Sequence, residues 1–265
     1  MSFPAFIDLE LNNYITQQLP PGVYGHAMPL EVSDEFRDKL RGELLKQGIT
    51  LKVADGAVLK RQCEYLAGRY CASESLTKME QQLSTPITDK QVGTGNNREP
   101  LWPQGILGAI THSNRYAMAL VGQQGTYQGI GVDIEDIMSA ELAHSLCEQI
   151  MSAQEALLHQ TLNDFDYKTF VTLIFSAKES IFKALFPSIG EYFGFEACEL
   201  CTVDVAKKTL NFRLTGDLSD AWKKDTQLEV SYLPLPNHSH LQRSLLNPSL
   251  LTHQPSSWLT FTFLL

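Results

Sequence analysis

Three acids and one lysine in this 265-residue chain have the types and spacing that chemistry needs. In Gly129-Ile130-Gly131-Val132-Asp133-Ile134-Glu135 the alternation of apolar residues predicts a strand. Its period of two places Asp133 and Glu135 on one face, with Ile130, Val132 and Ile134 packed on the other. Neighbouring carboxylates repel, so they belong either on a solvated sheet edge or around a divalent cation. In Phe175-Ser176-Ala177-Lys178-Glu179-Ser180-Ile181-Phe182-Lys183 helical spacing puts Glu179 and Lys183 one turn apart. Alone, that pair reads equally well as a surface ion pair. Ile174, Phe175, Ile181, Phe182, Leu185 and Phe186 make the helix apolar around much of its girth, however, so its charges lie close to packed structure and need partners. Together Asp133, Glu135 and Glu179 supply three oxygen donor groups, the kind that holds Mg²⁺ while the ion shares its shell with substrate phosphates. Lys183 then falls beside those phosphates. Such a set suits a transfer reaction that cleaves a pyrophosphate.

Several elements must position these groups. Val58, Leu59, Cys63, Leu66 and Tyr70 recur near helical spacing and predict an amphipathic helix over 58–72. Residues 84–105, rich in Thr, Gly, Asn, Gln and Pro, read as a loop long enough to carry function. Strands are expected at 116–122 and 129–135, separated by a Gln/Gly-rich turn. Helices are expected at 139–150, 152–162 and 167–186, the last stopping at Pro187. Further strands fit 197–205, 208–214, 226–233 and 257–264, with a Pro-, Asn-, His- and Ser-rich connection over 234–256. The fold class is α+β, or mixed α/β.

Composition excludes some functions. Formal charge is −9, which argues against a nucleic-acid binder with a basic surface. Residues 1–130 hold 12 basic and 13 acidic side chains, whereas 131–265 hold 9 and 17. The metal-type acids thus lie in an acidic half, and most of its excess is ordinary solvated surface. Cys63, Cys71, Cys147, Cys198 and Cys201 are odd in number and scattered, unlike a disulfide framework. The Cys198/Cys201 CxxC has no second CxxC, and it reads as thiols in packed structure rather than a zinc or redox site. His238-x-His240 likewise carries no metal assignment. The N-terminal residues do not resemble a signal peptide, and the longest apolar runs fall short of a bilayer span. The expected location is the cytoplasm, with peripheral membrane association as the alternative.

The sequence resembles the 4′-phosphopantetheinyl transferases of the Sfp type, and within them the enterobactin synthase component D group. Four blocks in order carry the likeness: Arg61-x-x-Glu64 through Arg69, Trp102-Pro103-x-Gly105 with Gly108 to Ser113, Gly131 to Asp136, and Phe175 to Lys183. They span about residues 58–186. The resemblance implies a pseudo-twofold pair of α/β subdomains, 1–128 and 129–265, with coenzyme A in the cleft between them. It implies transfer of the 4′-phosphopantetheine arm of coenzyme A to a serine of an apo aryl, peptidyl or acyl carrier protein, releasing adenosine 3′,5′-bisphosphate. Mg²⁺ is the implied cofactor. The expected chain is a monomer that serves a siderophore-type nonribosomal peptide synthetase, with no nucleic-acid partner. A polyketide or polyunsaturated fatty acid synthase is the alternative client. Another Mg²⁺ phosphotransferase, or a binding module without turnover, is the alternative class.

Residue roles follow from the same likeness. Asp133, Glu135 and Glu179 match the metal-binding acids, and Glu179, Lys183 and Asp133 form the catalytic set. Glu179 is the preferred base, with a metal-bound water or Glu155 as alternatives. Glu155 also reads as a capping-box residue after Ser152. Lys183 matches a phosphate-binding lysine, while Lys178 is divided between phosphate and solvent. Arg61 and Arg69, two helical turns apart, match the arginines at the nucleotide end. Thr111 and His112 match the pair that holds the 3′-phosphate. Arg98 is expected to meet the nucleotide, and Trp102 to pack.

Overall fold

The Gly131 position on its strand has no room for a side chain: a Cβ there would collide with the carbonyl of Ser180 on a helix that lies directly on the sheet. At Gly129 a Cβ would meet the carbonyl of Ala184 in the same way. These two contacts place strand and helix backbones against each other, and the fold around them follows from that approach. The computed structural model describes residues 8–51, 56–84, 86–235 and 255–265. The chain forms two compact units, Met1–Tyr127 and Gln128–Leu265.

In the first unit, α1 (Leu9–Thr16), β1 (Val23–Pro29) and α2 (Asp34–Lys46) precede a long helix, α3 (Leu59–Leu83). Short strands β2 (Gly93–Thr94) and β3 (Pro100–Leu101) pair with each other, and β4 (Ile106–His112) and β5 (Tyr116–Gln123) follow. The sheet order is β1-β5-β4, antiparallel throughout. Helix α3 covers it, burying Cys63, Leu66, Ala67, Tyr70 and Leu76 with Ala117, Ala119 and Val121. The expected helix over 58–72 runs three turns further because Ser75, Leu76 and Met79 continue the buried face. The Ser75 hydroxyl lies 2.8 Å from Cys71 O and 3.0 Å from Ala119 O and shares its one proton between them, so it is satisfied inside the helix. Gly68 packs against Ile110, where a Cβ would crowd the Ile110 side chain.

In the second unit, β6 (Gly129–Asp136) leads to α4 (Ala140–Ile150), α5 (Ala153–Gln160) and α6 (Tyr167–Ile189). A 3₁₀ turn (Phe195–Ala197) then opens β7 (Cys198–Asp204), β8 (Thr209–Leu214), β9 (Gln227–Leu235) and β10 (Ser257–Leu264). The five strands are ordered β6-β10-β9-β8-β7. Helix α6 packs Phe170, Ile174, Ala177, Ile181 and Leu185 into the core of this sheet. Both units therefore set one long helix on an antiparallel sheet, the mixed α and β class that the element order predicts.

Strands β5 and β6 belong to different sheets, and β6 pairs with the C-terminal β10. Two local expectations are corrected. Helix α6 does not stop at Pro187 but runs to Ile189, because a proline in the last turn forfeits only one amide bond. Gly190, with φ 75°, ends the helix and donates its N–H to Phe186 O (2.8 Å). The 84–105 loop is not featureless, since β2 and β3 form a small hairpin within it.

The five cysteines, all among the described residues, are free, with Cys198 buried and Cys201 exposed on β7. Most of the 234–256 connection, with His238 and His240, lies outside the described residues. Among the described residues no helix is long and apolar enough to cross a membrane.

Candidate active site

Gly129, Gly131, Asp133 and Glu135 alternate along β6, so the face that admits α6 also carries both carboxylates. Asp133 is buried, and its Oδ1 accepts a hydrogen bond from Lys183 Nζ at 2.5 Å. The second oxygen, Oδ2, is buried and makes no hydrogen bond among the described residues. Glu135 is half-buried, and its pKa is pushed up to about 8, first by burial and then by the charge of Asp133. Lys183 opposes that rise, while Glu179 and Asp136 add to it. Burial also raises the Glu179 carboxyl, with Lys183 opposing and Asp133 adding. Asp133, Glu135, Glu179 and Lys183 therefore share one electrostatic field, and three acids share it with one ammonium.

The donor chemistry fits a hard divalent cation. All three groups offer carboxylate oxygens, and their mutual repulsion is what a cation relieves. The side chains do not close on a common point: among the described residues no three His, Cys, Asp or Glu side chains are grouped to hold a metal. In this arrangement the Lys183 ammonium takes an Asp133 oxygen.

Lys178 and Glu155 are corrected together. Lys178 is neither a phosphate contact nor a solvated lysine, since its side chain is 2% exposed and lies 2.9 Å from Glu155 Oε2. Glu155 closes a capping box with Ser152 at the start of α5. It is fully buried and also accepts the Leu200 N–H at 2.7 Å, so it is not available as a base.

A second charged cluster lies in the first unit. Arg61 Nη1 is 3.1 Å from His112 Nε2 and 3.5 Å from Glu64 Oε2. Lys60 reaches Asn114 Oδ1 at 2.7 Å. Glu64 has no assigned role in the sequence reading, although its i,i+3 spacing from Arg61 marks it as a partner. Arg69 does not join this cluster. It is buried, donates Nη2 to Gly93 O (2.8 Å) and Thr94 Oγ1 (2.9 Å), and lies over the Tyr65 ring. Burial lowers its pKa. Thr111 and His112 are successive residues of β4, so their side chains take opposite faces, and the buried Thr111 does not share the face of His112. Arg98 is exposed in the turn between β2 and β3, with φ 67°. Trp102 packs against the core under α3, as expected.

One feature beside these acids is not announced by the sequence motifs. Phe182, Tyr192, Phe193 and Phe195 line a groove of about 360 Å³ onto which Glu179 also opens. The Tyr192-Phe193-Gly194-Phe195 run, which starts two residues past the helix-ending Gly190, is the signal that marks it.

A model of the 4′-phosphopantetheinyl transferase N-terminal domain matches residues 51–122. A model of the 4′-phosphopantetheinyl transferase superfamily matches residues 129–236. Enterobactin synthase component D of Salmonella typhi is 34% identical over 152 residues, covering 57% of this chain and 59% of that protein. The 4′-phosphopantetheinyl transferase Npt of Nocardia iowensis is 28% identical over 166 residues, 63% of this chain and 68% of that protein. The 4′-phosphopantetheinyl transferase PptT of Mycobacterium tuberculosis is 30% identical over 142 residues, 53% and 58%. The chain thus spans about half to two thirds of the length of the curated relatives it matches. Two models of one family together match more than half of the chain, in the order in which its two units occur, and the chain belongs to the 4′-phosphopantetheinyl transferase superfamily.

Proposed function

We propose that this chain transfers the 4′-phosphopantetheine arm of coenzyme A to a serine of an apo carrier protein. The observation that carries the reading is the meeting of Asp133, Glu135, Glu179 and Lys183 where β6 and α6 approach. Glu179 accepts the proton of the carrier serine; its raised pKa makes it a better base than a solvated glutamate. The serine oxygen bonds to the phosphorus nearer the pantetheine, the pyrophosphate P–O bond breaks, and adenosine 3′,5′-bisphosphate leaves. Lys183 holds a phosphate oxygen as the bond breaks. Asp133, Glu135 and Glu179 would hold Mg²⁺, which when bound neutralises charge on the leaving phosphate.

Arg61 and His112 hold the nucleotide end of coenzyme A, with the exposed Arg98 as a further contact; Arg69, whose Nη2 is spent on Gly93 and Thr94, and the buried Thr111 brace that end rather than touch the nucleotide. The first unit, with the break near residue 128, supplies the nucleotide contacts, and the second supplies the acids and the catalytic helix. The chain acts as a monomer in the cytoplasm. The names of the enterobactin synthase relatives favour an aryl or peptidyl carrier of a siderophore synthase as the acceptor. Release of adenosine 3′,5′-bisphosphate from coenzyme A, dependent on an apo carrier, tests the reading. Dephospho-coenzyme A competing as well as coenzyme A would instead favour a different Mg²⁺ phosphotransferase.

A further inference from the structure

The proposed reaction leaves one buried ionic group without a task. Lys178 Nζ donates to Ile150 O (2.8 Å), Glu155 Oε2 (2.9 Å) and Phe195 O (3.1 Å). An ammonium has three donors, and all three are engaged. Glu155 in turn accepts from the N–H groups of Ser152 and Leu200, both at 2.7 Å. The group joins α6 to the end of α4, the start of α5, the 3₁₀ turn and β7.

The bond to Phe195 bears on the site. Residues 191–194 follow α6 without regular structure and carry the aromatic wall of the groove. Lys178 holds the far end of that segment by a backbone carbonyl. Phe175 of the same helix packs on the Phe195 ring with centroids 5.5 Å apart. On the facing side Phe182 stands 5.0 Å from both Tyr192 and Phe193. The width of the groove beside Glu179 is therefore set by how α6 grips Phe195.

We propose that Lys178 is a positioning residue: through the Phe195 carbonyl it holds the Tyr192–Phe195 wall against Phe182 and Glu179, and so governs how tightly substrate is held in that groove. This rests on the transfer reaction proposed above. Glu155 pairs with the ammonium and aims it. The lysine can be buried because it is paired and all three of its donors are bonded, which is the condition for burying an ammonium.

The test compares the intact chain with Lys178→Met and with Lys178→Met combined with Glu155→Gln, which removes the orphaned charge. Hydrogen exchange is followed for amides 194–197 and for β7, and KM and kcat are measured for coenzyme A and an apo carrier. The expected result is exchange of 194–197 raised by at least about tenfold over any change in β7. KM for one substrate should rise about fivefold or more while kcat stays within about threefold. A uniform rise in exchange, unchanged KM values, or a loss confined to kcat would overturn the proposal. If the intact chain transfers nothing, the transfer reading fails, and exchange still decides whether Lys178 holds the wall.

Discussion

Lys183 on α6 donates to Asp133 on β6 at 2.5 Å, tying α6 to the strand that carries two of the three proposed metal acids. The aspartate side chain is 4% exposed and the lysine 25%. Removing the lysine leaves a buried carboxylate with less compensation and removes the proposed phosphate contact. Lys183→Met should lower kcat/KM by about 10²–10³-fold. It should cost about 2–3 kcal/mol of stability, somewhat below the loss for a fully buried pair. Steady-state transfer assays and urea unfolding check the two effects separately.

Gly131→Ala should separate β6 from α6, because its Cβ collides with the backbone carbonyl of Ser180 and backbone cannot turn aside. Overpacking of this kind costs about 1–3 kcal/mol. Activity should fall more than stability, since Asp133 and Glu179 are moved apart. The comparison is with Gly42→Ala on α2, where a Cβ meets nothing within 4 Å.

The residues that do the proposed chemistry were legible for a physical reason. Period two on β6 and the i,i+4 spacing of Glu179 and Lys183 are local, and each fixes a face without knowledge of the rest of the chain. What brings the faces together is not local. The pairing of β6 with β10 joins residues more than a hundred positions apart, and no short-range pattern encodes it. The burial of Lys178 is of the same kind, because its partners come from α4, α5 and the turn at Phe195. Thr111 and His112 were open to a better reading: as neighbours on a strand they must diverge, and only the unassigned β4 concealed it. The elements α1, β1 and α2 were not anticipated, since nothing in residues 1–57 resembles the motifs that organised the rest.

Arg61 and His112 stand 3.1 Å apart on an exposed face of the first unit. If they hold the 3′-phosphate, Arg61→Ala should raise KM for coenzyme A by about 10–100-fold, the worth of a lost hydrogen bond to a charged group. It should do little to KM for dephospho-coenzyme A. Parallel titrations of both substrates read the difference.

His26 offers a pH dependence away from the site. It is buried on β1, its ring nitrogens have no hydrogen-bond partner among the described residues, and it lies edge-on to Tyr70. Burial, with a contribution from Lys78, lowers its pKa to about 3. The folded chain keeps this imidazole neutral while the unfolded chain protonates it near pH 6.5. Stability from this group is therefore complete above about pH 6.5 and falls by up to about 1.4 kcal/mol per pH unit as pH drops toward 3. Urea unfolding between pH 7 and pH 4 should show that slope, and His26→Phe, which breaks no hydrogen bond, should flatten it.

The most direct measurement is the intact mass of an apo carrier domain after incubation with this chain, coenzyme A and Mg²⁺. A gain of one phosphopantetheine on the carrier serine, lost with Glu179→Gln and with Asp133→Ala, is the predicted result. Carriers that keep their apo mass with the unaltered chain, across aryl, peptidyl and acyl types, would contradict it, as would full transfer by both variants.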